Sequence, residues 1–119
     1  MAASLIYHLA RRADFERAHE AGRYDGARED SADGFMHFST ADQVVESAAR
    51  HRAGETDLML VAVDPDRLGG ALRWEPARNG ALFPHLYGPL SLDTVAWVRP
   101  LPVGSDGRHR FPPELARGA

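Results

Sequence analysis

The chain of 119 residues has no cysteine, which excludes disulfides, thiolate metal sites and cysteine nucleophiles. No apolar run approaches the roughly 20 residues that span a bilayer. The opening Met1-Ala2-Ala3-Ser4 lacks the basic and apolar regions of a secretory signal. A cytoplasmic protein with no membrane partner is expected. No basic block stands out and the net charge is −3, so a general nucleic-acid surface is not expected, while a local basic pocket is compatible with this balance. Gly-x-Gly-x-x-Gly, a phosphate-binding Gly-x-x-x-x-Gly-Lys loop and a Gly-x-Ser-x-Gly nucleophile elbow are all absent, which leaves the common dinucleotide, triphosphate and serine-hydrolase signatures without support.

With 44% hydrophobic and 26% charged residues, the composition is that of an ordinary globular protein large enough for a real core. No internal repeat or linker interrupts it. We expect one domain over residues 1–119, with a core from about residue 5 to 101 and an irregular, partly mobile tail from Pro100 onwards. Leu5 to Leu9 reads as a strand, and Ala13 to Ala21 as a helix stopped by Gly22. Tyr24 to Asp33 is polar and reads as a loop with one short edge strand. Phe35 to Ser39 reads as a second strand. Thr40 and Gln43 suit a capping box for a helix to about Arg52 that buries Val44, Val45, Ala48 and Ala49. Leu58 to Val63 is continuously apolar, as in a strand covered on both faces. Leu72 to Glu75 and Leu82 to Tyr87 flank an Asn79-Gly80 turn signal and read as a hairpin, and Thr94 to Arg99 supplies a last strand. Strand and helix alternate first and strands follow, which predicts an α+β fold.

The most informative segment is Gly34-Phe35-Met36-His37-Phe38-Ser39-Thr40. Period-two alternation puts His37 and Ser39 on one face and Met36 and Phe38 on the other. An imidazole and a hydroxyl then lie beside a helix N-terminus, a natural place to hold an anion. His8 and His85 occupy similar strand settings. None of these histidines forms a local chelating pair, so no metal is expected. His19, His51 and His109 receive no role. Taken singly, His8 reads as a core histidine satisfied by a backbone carbonyl, His37 and Ser39 as parts of a cap, and His85 as a turn residue. Taken together they suggest one site, to which Glu75 adds a carboxylate able to meet a short-lived cation.

Ile6-Tyr7-His8-Leu9, the Gly34–Thr40 segment with Gln43, Leu72-Arg73-Trp74-Glu75-Pro76 and Leu82-Phe83-Pro84-His85-Leu86-Tyr87-Gly88-Pro89-Leu90 together resemble the DUF952 family of small bacterial and plant proteins. The resemblance runs from about Leu5 to Leu101, and Phe15 stands where members often carry tryptophan. That family is similar in fold to the ADP-ribosyltransferases. The resemblance implies an ADP-ribosyltransferase-like fold: two small, mostly antiparallel sheets and two main helices around a cleft that grips NAD or a related ADP-ribosyl group. It implies that His8 contacts a ribose and that His37, Phe38, Ser39 and Thr40 support the nicotinamide side. For the late glutamate of such enzymes, Glu75 is a candidate by chemistry, and His85 stands nearer the expected place in the chain.

The leading expectation is an enzyme that transfers or cleaves ADP-ribose with NAD as substrate. His8, His37, Glu75 and His85 are its candidate catalytic groups, and His8, His37, Ser39, Thr40 and Tyr87 bind the nucleotide. His37 or His85 contacts phosphates or shuttles a proton near neutral pH. One alternative is a noncatalytic nucleotide-binding module. Another is an RNA-end or 2′-phosphate processing enzyme, which needs Arg11, Arg12, Arg73 or Arg78 at the cleft.

Overall fold

A computed structural model describes residues 4–116 of the chain. Strand β1 (Ile6–Arg11) leads into α1 (Arg12–Ala21), a short β2 (Arg23–Tyr24) and α2 (Arg28–Asp33). Next come β3 (Met36–His37), β4 (Ser39–Thr40) and α3 (Ala41–His51). Strands β5 (Leu58–Val63), β6 (Leu72–Pro76), β7 (Leu82–Leu86), β8 (Leu90–Ser91) and β9 (Val95–Leu101) follow, and then α4 (Pro113–Ala116). This is the α+β class the sequence predicts, with every strand pairing antiparallel among the described residues. One sheet has the order β4-β1-β5-β9 and a second the order β3-β7-β6, while β2 and β8 pair separately.

The continuous apolar run forms the centre of the larger sheet, and Leu60, Val61, Ala62 and Val63 are fully buried. Alternation divides these side chains between two clusters. Val61 and Val63 join Ile6, Ala10, Phe15 and Tyr24. Leu60 and Ala62 join Tyr7, Val44, Leu101 and Leu115 on the opposite face. Phe15 is buried with its ring 5.5 Å from that of Tyr24. Gly22 closes α1 in the left-handed region at φ 76°, a conformation without penalty for glycine.

Three expectations are corrected. The strand read across Phe35 to Ser39 is two strands in two sheets: Phe38 still donates its N–H to the Pro84 carbonyl of β7 at 3.0 Å, and Ser39 and Thr40 then pair with β1. Helix α2 lies inside the segment read as a loop. It presents no apolar stripe and is held instead by the side chain of Asp30, which accepts from the Ala27 N–H at 2.6 Å, and by Gly34 at φ 85°. On α3, Val44 and Ala48 are buried as expected, whereas Val45 and Ala49 face outward and Ser47 takes an inward place. The irregular tail makes contacts with the body: His109 Nε2 meets the Glu55 carbonyl at 2.8 Å and Leu115 enters the second cluster.

Candidate functional site

A cleft of about 810 Å³ lies between the sheets and helices. Helix α2 contributes Glu29, Asp30 and Asp33 to its wall, and β3 and β7 contribute His37, Phe83 and His85. Ser47, Arg50 and His51 come from one flank of α3, the i, i+3, i+4 spacing that places side chains on one face. The turn between β6 and β7 adds Arg78.

His8, His37, Ser39 and His85, which the sequence nominates, all line this cleft, whereas Thr40, Glu75 and Tyr87 do not. The three histidines differ sharply in setting. His8 is 3% exposed. Its Nδ1–H donates to the His37 carbonyl at 2.7 Å, and Nε2 accepts from the Tyr24 hydroxyl at 2.9 Å. Both nitrogens are thereby used in the neutral ring, and burial holds its pKa below the ordinary value. This is a core histidine satisfied by a carbonyl.

His37 is held between two carboxylates, with Nδ1 2.6 Å from Asp30 and Nε2 2.9 Å from Asp33. The hydrogen bond to Asp30 is the main cause of a raised pKa. Burial works to raise the pKa of Asp30, but the His37 ring, the His8 ring and the Ala27 and His37 amides outweigh it and keep the carboxyl below its usual range. Asp30 also accepts from the His37 N–H at 3.1 Å. One short helix thus fixes both the backbone and the ring of His37.

His85 is opposite His37 in the β3–β7 register. Its Nδ1–H donates to Glu75 at 2.8 Å, and the Tyr87 hydroxyl donates to the same oxygen at 2.8 Å. These two donors, His85 first, lower the pKa of Glu75. The Phe35 ring stacks on His85 at 4.0 Å. Nε2 of His85 is left without a protein partner among the described residues. A carboxylate that fixes one imidazole nitrogen and leaves the other open is an acid–base arrangement.

The helix N-terminus proposed as an anion site has a different fate. The Gln43 side chain accepts from the Thr40 N–H at 3.0 Å, and Ser39 meets the Ser47 hydroxyl at 3.0 Å. The start of α3 is therefore capped from within, and the cleft meets the flank of the helix. Of the arginines an RNA-end enzyme would use, Arg78 lines the cleft. Arg11 is paired with Glu29 and Glu55, Arg12 with Asp57, and Arg73 lies over the Tyr87 ring. Among the described residues, no group of histidine and acidic side chains is arranged to hold a metal ion, and no helix is long and apolar enough to cross a membrane.

Sequence reasoning missed Asp30 and Asp33, because a polar helix of six residues has no periodic signal. Ser47 and Arg50 were findable as polar side chains sharing one helical face. The sequence profile of a family described as "Protein of unknown function (DUF952)" matches residues 9–98. The crystal structure of protein CC0527 from Caulobacter crescentus is similar at 41% identity and a TM-score of 0.91, covering 95% of this chain and 99% of that one. The solution NMR structure of CC0527 is similar at 42% identity and a TM-score of 0.80, covering 89% and 91% of the two chains. No curated protein matches.

Proposed function

The chain belongs to the DUF952 family, and on that premise we propose that its cleft binds a nucleotide-like small molecule, with His85 as the acid–base group. The observation that carries this reading is the Glu75–His85 pair, in which Nδ1 is fixed at 2.8 Å and the open Nε2 belongs to a residue of the cleft wall. Glu75 acts here as a positioning residue, holding the tautomer and the ring plane, since it stands outside the cleft lining. His37 shapes the same wall, its ring fixed between Asp30 and Asp33 and its carbonyl accepting from His8.

The ADP-ribosyltransferase-like fold that the sequence resemblance implies makes NAD the first ligand to try and ADP-ribose transfer the first reaction. Convergence of histidines and Arg78 on one cleft favours recognition of phosphate groups, while Glu75 engages His85 rather than facing the cleft. A proton NMR time course of NAD with the protein tests both halves of the reading. We expect NAD resonances to broaden, and any release of nicotinamide to vanish in His85→Ala. Broadening without release makes the protein a binding module. Sharp NAD lines at millimolar protein, with NAD unchanged, discard the nucleotide reading.

A further inference from the structure

Arg50 and Arg78 both line the cleft and share one counter-charge. Both Nε atoms reach the same oxygen of Glu46, Oε2, at 2.7 Å and 3.2 Å. Two guanidinium charges thus face a single carboxylate, and the surplus is positive. The other arginine of the wall is different: Arg52 is matched by Glu29 at 2.7 Å and by Glu55 at 3.6 Å. Beside them on α3, the pKa of His51 is lowered by burial first, then by Arg78, Arg52 and His37, and least by Arg50.

Arg78 is also held in place before any ligand arrives. Its Cζ lies 5.0 Å from the centroid of the Phe83 ring, Nη2 donates to Ser47 at 3.4 Å, and its side chain is 18% exposed. A stacked, partly buried guanidinium loses little freedom on binding and presents a planar fork suited to phosphate. Arg50 is more exposed, at 53%, and is free to swing toward a bound anion. Ser47 lines the same cleft, and its hydroxyl, which also meets Ser39 at 3.0 Å, steadies Arg78.

We propose that Arg50 and Arg78, the latter steadied by the Ser47 hydroxyl, form a phosphate subsite in which the ligand's anionic group displaces Glu46 from the two guanidinium groups. The inference rests on the reading of the cleft as a nucleotide-like ligand site and names which part of that ligand binds where. Glu46 is the resident anion of the subsite, and the entering phosphate takes over its charge-assisted hydrogen bonds.

Titration with inorganic pyrophosphate, followed by NMR of the arginine Nε–Hε signals, tests the subsite directly. Saturable shifts of the Arg50 and Arg78 signals are expected. Arg50→Gln and Arg78→Gln should each weaken binding by about tenfold or more, as for loss of one charged hydrogen bond. Glu46→Gln removes the competitor and should tighten binding several-fold, a gain that general damage to the fold would not produce. Equal affinity in the wild type and the Arg50→Gln/Arg78→Gln double variant overturns the subsite, as does the absence of any shift in the wild type and in Glu46→Gln. A parallel titration with NAD separates the two levels. Pyrophosphate binding that needs both arginines, without a response to NAD, keeps the subsite and discards NAD as the ligand. NAD binding indifferent to both arginines keeps the cleft and discards the subsite.

Discussion

His8 and His37 are joined by one hydrogen bond of 2.7 Å, yet their surroundings drive their protonation in opposite directions. Burial favours the neutral ring of His8, and Asp30 favours the charged ring of His37. An NMR titration should show His8 titrating below the ordinary histidine value of 6.5 and His37 above it. The stability consequences carry opposite signs. His37 stabilises the fold fully below pH 6.5, and that contribution is lost as the pH rises through its raised folded value. The contribution of neutral His8 is present above pH 6.5 and is lost as the pH falls through its lowered folded value. Denaturation of His37→Gln across the neutral range should lose the alkaline decline and keep the acid one. Tyr7 offers a second residue-level test. Its hydroxyl is buried without a hydrogen-bond partner among the described residues, a costly state for a polar group. Tyr7→Phe is expected to leave stability unchanged or raise it by up to about 1 kcal/mol in urea unfolding; a clear loss would mean that the hydroxyl has a polar partner.

At the scale of elements, α2 holds more of the site than its length suggests. Asp30 is 5% exposed and accepts from the Ala27 amide, the His37 amide and the His37 ring. Asp30→Asn puts an amide NH₂ where one of these donors must be received. The expected cost is about 2 kcal/mol, read by urea unfolding, and the His37 pKa should fall toward its ordinary value. Nothing in Arg28-Glu29-Asp30-Ser31-Ala32-Asp33 announces this helix, since its stability comes from a side-chain clasp and not from apolar periodicity. By contrast, β5 and α1 were legible because their patterns match the burial that forms them. The hairpin of β6 and β7 was legible from Asn79 and Gly80, which take φ 59° and 76°. Val45 and Ala49 misled because an apolar residue on a helix need not face the core; Ser47 lies inward, where it has Ser39 as a partner. His37 and Ser39 line the cleft although the single strand whose alternation paired them is broken at Phe38, and His85 joins them from a similar strand setting, while the carboxylates that hold His37 come from a helix with no such pattern.

At the scale of the molecule, the tail and the first strand are tied to one cluster. Leu115 is 7% exposed and packs with Tyr7, Leu58 and Leu101, beside the partly buried Phe111. Leu115→Ala should cost about 2 kcal/mol or more, the usual range for a buried leucine, measured as a shift in urea midpoint at constant slope. The larger consequence concerns the two sheets. Phe38 is the one residue between β3, in the three-stranded sheet, and β4, in the four-stranded sheet. Its N–H is bound to Pro84, and its ring, 2% exposed, lies 5.5 Å from that of His8. A joint one residue long, fixed at both its amide and its ring, restrains how far the two sheets can shift against each other at this edge of the cleft. Molecules entering between them are thus sorted by whether they fit a gap already cut to size, with little ordering entropy spent by the protein on closing around them.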